Sequence, residues 1–150
     1  MISPERLDIV QTQWLRLTEP FADATEALRV FDDLIARHSE PHRHYHNLEH
    51  VGEVLKTAAR LASHADDPVA VAFAAWFHDA VYDPRQSNNE EESMVFFTSA
   101  AAVFNMPSPQ RDKIASLILA TKTHTATTAN ERVLLDAEAM AMRRNRGSRR

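Results

Sequence analysis

Histidines are concentrated in one short segment of this chain. Four of the eight lie in residues 41–50, which read Pro-His-Arg-His-Tyr-His-Asn-Leu-Glu-His. His46 and His50 are four residues apart, so on a helix they share one face. Two imidazoles on one face can both contact a single metal ion or a ligand of that ion. A single histidine pair at this spacing is weak evidence, but it marks the first candidate site.

A second candidate is the dipeptide His78-Asp79, which follows an apolar stretch at residues 69–77. A helix that is apolar on all sides is buried, so this pair would stand at the end of a core helix. A carboxylate is almost never fully buried without a partner, and a divalent cation can bind carboxylate and neutral imidazole together. The alternative is that the helix end is exposed and the pair faces water. The local pattern leaves both interpretations open.

The chain has no cysteine, which excludes disulfides, thiolate metal sites and cysteine nucleophiles. Any metal must therefore be held by histidine, aspartate or glutamate. Asp136 is a third candidate ligand, because it follows the apolar residues Val133, Leu134 and Leu135 on a late predicted helix. Taken alone, an acid at this position is expected on the solvent-exposed face of an amphipathic helix.

Together these residues give the order His, His-Asp, Asp, which resembles the signature of the HD superfamily. The stretch Tyr-His-Asn-Leu-Glu-His at residues 45–50 is similar to one in cyclic-nucleotide phosphodiesterases. Residues 77–84, Phe-His-Asp-Ala-Val-Tyr-Asp-Pro, resemble a bacterial family of predicted HD-type metal-dependent phosphohydrolases, as do residues 40–47 and 89–91. The resemblance runs from about residue 10 to Asp136.

Beyond Asp136 the sequence departs from that family. Similar proteins usually read Asp-Ala-Asp-Leu here and continue through further helices. This chain instead reads Asp-Ala-Glu-Ala-Met and then becomes rich in arginine. We therefore expect a C-terminus that is truncated or altered relative to the family. Asp136 is the candidate ligand that lies next to this departure.

The resemblance implies a metal centre and its chemistry. The metal ligands would be His50, His78, Asp79 and Asp136. His46 would be the general acid that protonates the leaving oxygen, and Asp79 would also position the attacking water. An imidazole and carboxylate set accepts a divalent transition metal (Mn, Fe, Co, Ni or Zn) in preference to Mg.

Three further residues are candidate substrate contacts. Arg43 and Lys122 could bind a phosphate group, which needs cationic or N–H donors. His124 stands where related proteins place another site histidine, so it could bind the substrate phosphate or a second metal. Glu91 is a weaker candidate for orienting water or a ligand. For Arg43, Lys122 and Glu91, an ordinary surface role fits the sequence at least as well.

The elements that must position these residues are predicted to be helices only. There are two glycines, too few for hairpins and phosphate loops, and no stretch alternates with a period of two. Apolar spacing and capping residues predict seven helices, which begin near residues 3, 22, 47, 67, 89, 108 and 130. We expect an all-α, HD-domain-like bundle around a buried central helix that ends in His78-Asp79.

Residues 1–142 are predicted to form a single domain, and residues 143–150 a basic, disordered tail. The net charge is −4, but the last eight residues hold five arginines, so residues 1–142 carry 12 basic and 21 acidic groups, a net of −9. An acidic body argues against general nucleic-acid binding. No apolar run suits a membrane span and no signal peptide is evident, so a cytoplasmic location is expected. A homodimer could cover apolar surface left by the altered C-terminus.

The expected function is hydrolysis of a small phosphate ester, with a nucleotide as one candidate. Two alternatives remain open. One is a non-catalytic HD-like module that binds a nucleotide or phosphate for regulation, suggested by the altered C-terminus. The other is an oxygen-dependent di-iron enzyme, which would need additional ligands such as His46 and His124 and therefore two metals per chain.

Overall fold

The structure is a computed structural model that describes residues 2–147, with side chains described as far as Arg144. Within that range the chain forms seven α-helices and one short 3₁₀ turn at Ala62–His64, without a strand. The helices are α1 Pro4–Thr18, α2 Ala24–His38, α3 Leu48–Arg60, α4 Pro68–Phe77, α5 Asn89–Val103, α6 Ser108–Ala120 and α7 Ala129–Gly147. The all-α prediction is confirmed, whereas the HD-type arrangement stays a prediction.

Short polar side chains set where several helices begin. Ser3, Asp23, Asn47 and Asp67 each accept a hydrogen bond from the backbone N–H three residues ahead, so they cap α1, α2, α3 and α4. The cap at Asp23 explains why α2 begins at Ala24 rather than at the predicted residue 22. The other predicted starts agree with the structure within about two residues, the usual uncertainty of a helix boundary.

Helix α4 is the centre of the bundle. Seven of its ten residues are buried, and it packs against α1, α3, α5, α6 and α7. The Trp14 ring lies against Phe73, Trp76 and Phe77 of this region, and its Nε1 donates to the Ala27 carbonyl oxygen at 2.7 Å. An aromatic core fixed by a buried hydrogen bond therefore holds α4 in place, and with it the residues at its C-terminal end.

The end of the chain differs from the predicted disordered tail. Helix α7 continues through Gly147, so residues 143–147 are helical, and residues 148–150 lie outside the described part. Arg144 Nη1 donates to Glu53 Oε2 at 3.0 Å, which joins the C-terminal part of α7 to the middle of α3. None of the described helices is both long and apolar enough to cross a membrane.

Candidate metal centre

Two helix ends bring the main candidate ligands together. Asn47 Oδ1 accepts the His50 N–H at 3.0 Å, which starts α3 and places His50 in its first turn. His78 is the residue that ends α4, and its N–H still donates to the Ala74 carbonyl oxygen at 2.8 Å. His50 and His78 are almost fully buried, and Asp79 is partly buried. The sequence-based alternative in which His78-Asp79 faces water is therefore wrong for His78.

The three histidines converge on one carboxylate oxygen. Asp79 Oδ2 lies 2.9 Å from His46 Nδ1, 3.2 Å from His78 Nε2 and 3.9 Å from His50 Nε2. Each of these distances is below about 4.2 Å, the greatest separation of two atoms that bind one transition-metal ion at about 2.1 Å. The ligand atoms of His46, His50 and Asp79 lie within 4.8 Å of one another, so a small side-chain adjustment would bring every pair within that limit. This group could hold a metal ion.

Unpartnered buried atoms support that fit. Both ring nitrogens of His50, His78 Nε2 and Glu138 Oε2 are buried without a hydrogen-bond partner. Leaving such groups unpaired is costly, so each needs an explanation. His78 Nδ1 donates to the Ala75 carbonyl oxygen at 2.9 Å, which leaves Nε2 as the ring nitrogen that faces the cluster. Metal-bound histidines commonly have this second hydrogen bond, because it fixes the tautomer and the ring.

The charges of the cluster are balanced by protons when no cation is present. Burial, and then His78, lowers the pKa of His50 to about 4, so His50 is neutral at pH 7. Burial opposes a charge on His78 too, but Asp79 and Glu138 raise the pKa of His78 to about 10. Burial likewise opposes ionisation of Asp79, yet His78 and His46 hold its pKa well below the ordinary value. A divalent cation could take the place of the His78 proton beside this carboxylate.

His46 stands at the edge of the cluster. Its Nδ1 hydrogen-bonds Asp79 Oδ2, and its ring lies against the Tyr82 ring with centroids 4.4 Å apart. About a fifth of its side chain is exposed, 23%, whereas the His50 side chain is fully covered. His46 is therefore oriented by two neighbours and still accessible, which suits either a ligand or a proton donor.

Glu138 is the acid of α7 that reaches the cluster, and sequence reasoning missed it. Its Oε1 lies 3.9 Å from His78 Nε2 and its side chain is 14% exposed. The predicted ligand Asp136 is exposed instead. Residues two apart on a helix point about 160° away from each other, so the two acids cannot share a face. Helix spacing alone does not distinguish the two acids, because Glu138 lies four residues after the buried Leu134 and Asp136 lies three residues after the buried Val133.

Arg43 is buried and bonded to protein groups rather than open to a substrate. Its guanidinium donates to the carbonyl oxygens of His46 at 3.1 Å, Asp79 at 2.6 Å and Ala80 at 2.8 Å. Its Nε also donates to Glu40 Oε1 at 3.0 Å. The structure thus ties the histidine loop to the end of α4 through Arg43, and the predicted phosphate contact does not line the cavity described next.

A cavity of about 550 Å³ lies beside the cluster. It is lined by His46, Asp79, Tyr82, Asn89, Glu90, Thr121, His124, Leu135, Glu138, Ala139, Met142 and Arg143. The predicted contact His124 is therefore at the cavity, in a left-handed backbone conformation with φ of 54°. Lys122 does not line it, because its ammonium pairs with Glu91 on the surface outside.

Comparisons with known proteins return no relative of this chain: no protein-family model, no curated protein and no solved structure matches it. The resemblance to HD-type phosphohydrolases rests on the sequence motifs alone.

Proposed function

We propose that this chain is a metal-dependent phosphohydrolase that acts on a small phosphate ester, with a nucleotide as one candidate substrate. The observation that carries the proposal is the set of unpartnered buried atoms around an ionised carboxylate, at the wall of a cavity. The HD-like order of these residues in the sequence supports the choice of phosphate chemistry. A volume of about 550 Å³ lies in the usual range for small-molecule sites.

The residues that would hold the metal are His50, His78, Asp79 and Glu138, with His46 as an alternative ligand. Mixed imidazole and carboxylate donors favour Mn, Fe, Co, Ni or Zn over Mg. When bound, such an ion would polarise a phosphoryl oxygen and lower the pKa of water at the site. Glu138 replaces Asp136 in this proposal, because it is the acid of α7 that approaches His78.

His46 has the geometry of a proton donor to the leaving group. Its Nδ1 is engaged by Asp79, so Nε2 is the ring nitrogen left to hold or release a proton toward a ligand. Tyr82 limits the rotation of the ring from one side. Asp79 has a second role in this proposal, since an ionised carboxylate beside the reacting phosphate can accept a hydrogen bond from water and orient it.

Metal analysis of the untreated protein tests the first half of the proposal. We expect about one transition-metal ion per chain, and its loss in His78→Ala. His44→Ala is the control, because His44 is an exposed histidine in the loop before α3 and does not line the cavity. A metal-free wild-type protein that also fails to bind added Mn, Co, Ni, Fe or Zn would contradict the metal centre.

A panel of phosphomonoesters and phosphodiesters tests the second half. We expect turnover in the metal-loaded protein and its loss in His46→Gln. Retained metal in that variant would assign His46 as the acid, whereas lost metal would assign it as a ligand. Binding of phosphate without turnover of any ester would favour the regulatory module, and two metal ions per chain would favour the di-iron alternative.

A further inference from the structure

Most cations around the cavity are already paired with an acid of the protein. Arg43 is bonded to Glu40 and to backbone carbonyl oxygens inside the fold. Lys122 pairs with Glu91. Arg144 pairs with Glu53 on the α3 side of α7. A guanidinium or ammonium that is held by a protein carboxylate is a poor first contact for an anionic ligand, because binding the ligand would break the existing pair.

Arg143 differs from these cations. It is exposed, it lines the cavity, and no ion pair or hydrogen bond joins its side chain to another described side chain. It lies four residues after Ala139, which lines the same cavity, so the two share one face of α7. The helical continuation of α7 beyond Met142 is what places this arginine at the cavity rather than in a free tail.

The charges of the lining show why a cation is needed there. Asp79, Glu90 and Glu138 contribute three acids, and Arg143 is the one arginine or lysine among the lining residues whose side chains the structure describes. One divalent ion would cancel the remaining formal charge of −2. Without Arg143 the loaded cavity would remain acidic, and it would repel a phosphate group.

We propose that Arg143 and His124 form the subsite that binds the phosphate group of the ligand. This rests on the proposed phosphohydrolase function and deepens it. Arg143 supplies a fixed positive charge and paired N–H donors, the combination that suits phosphate oxygens. His124 supplies a ring donor from the turn that follows α6, and its left-handed backbone conformation is one that histidine adopts more readily than most residues.

Calorimetric titration with inorganic phosphate tests this subsite without requiring turnover. The Mn-loaded wild-type protein is compared with Arg143→Gln, Arg143→Lys and the control Arg132→Gln. Arg132 is exposed on the same helix and does not line the cavity, so the control removes the same charge elsewhere. We expect the Kd for phosphate to rise about tenfold in Arg143→Gln, less in Arg143→Lys, and hardly at all in Arg132→Gln.

The outcomes separate this subsite from the proposed activity. Equal phosphate affinity in wild type and Arg143→Gln, or equal loss in Arg143→Gln and Arg132→Gln, would overturn the subsite even if the enzyme turns over esters. No phosphate binding by the loaded wild type would overturn it as well. Lost phosphate binding in Arg143→Gln alone would support it even if no ester is hydrolysed, and a thermal melt of each variant confirms that the fold is retained.

Discussion

The two walls of the cavity are built in different ways. The inner wall is formed by His46 and Asp79, and it is supported from behind by residues 38–50 and 78–80, where Arg43 donates hydrogen bonds to backbone carbonyl oxygens. The outer wall, the turn with His124 and the helical residues from Leu135 to Arg143, is held by apolar packing of α7. The inner wall therefore fixes the positions of the ligand atoms, and the outer wall brings charged groups toward them.

Because of this difference, the inner wall can hold its atoms at precise positions, whereas side chains of the outer wall can adapt to a ligand. Backbone carbonyl oxygens bonded to a buried guanidinium can move little, which suits atoms that must meet one ion. Side chains on an exposed helix face can change rotamer to meet ligands of different shape. Mutations should accordingly cost mainly stability on the inner wall and mainly binding on the outer wall.

Arg43→Gln should have the largest effect. It leaves the buried carbonyl oxygens of His46, Asp79 and Ala80 without their donor, and we expect the free energy of unfolding to fall by about 3–5 kcal/mol. Urea denaturation followed by circular dichroism measures it. Arg85→Gln is the control, because Arg85 is an exposed arginine paired with Asp83 and should matter little. Similar values for the two variants would remove the contrast between the walls.

The acids of α7 give the next largest effect. Glu138→Gln should weaken metal binding by at least about tenfold, since it removes a charge beside His78 Nε2. Asp136→Asn, two residues earlier on the opposite face, should leave metal affinity unchanged. Competition with a chromogenic chelator measures both affinities. The reverse result would restore the sequence-based assignment of Asp136 as the ligand.

The pH dependence of stability probes the inner wall through His38. Burial, and then the Arg43 guanidinium, lowers the pKa of His38 from 6.5 to about 4 in the folded chain. Below 6.5 the unfolded chain therefore binds a proton that the folded chain does not, so stability falls as pH drops toward 4. His38→Gln should reduce this slope by up to about 1.4 kcal/mol per pH unit. Urea unfolding at a series of pH values tests it, and His64→Gln, at an exposed site, should keep the wild-type slope.

His124→Gly should give the smallest effect and one of opposite sign. Glycine adopts a φ of 54° without the steric cost that other residues pay, so stability should rise by up to about 1 kcal/mol. His124→Ala keeps the unfavourable backbone and should not be stabilised. Thermal unfolding compares the two variants. If alanine stabilises the protein as much as glycine does, the backbone at residue 124 is not strained.

Much of the inner wall could be predicted from the sequence, because its residues lie in two short segments. His46 and His50 are joined by helix spacing, and burial of the His78 side chain is one of the two interpretations that the apolar run before it leaves open. The outer wall could not be predicted in the same way. The choice between Asp136 and Glu138 depends on which face of α7 meets α3 and α4, and Arg143 reaches the cavity only because the helix continues past the expected end.

The roles of Arg43 and Lys122 show another limit of sequence reasoning. Both are cations close to motif residues, which made them candidate phosphate contacts. The Arg43 guanidinium donates to a carbonyl oxygen of a residue 36 positions later in the chain, and the Lys122 ammonium pairs with a glutamate of α5. Tertiary packing determines partners so distant in sequence, and the type of a single residue does not reveal which partner it will have.

The Arg144–Glu53 pair has a consequence for ionic strength. Both side chains are partly exposed, 44% and 32%, so dissolved salt screens their attraction, and it also screens any attraction of Arg143 for an anion. The covered bonds of Arg43 are shielded from that screening. Raising the salt concentration should therefore weaken the Arg144–Glu53 pair and the attraction of Arg143 for an anion while the hydrogen bonds of Arg43 stay in place, so ionic strength would set how readily the site admits a charged ligand.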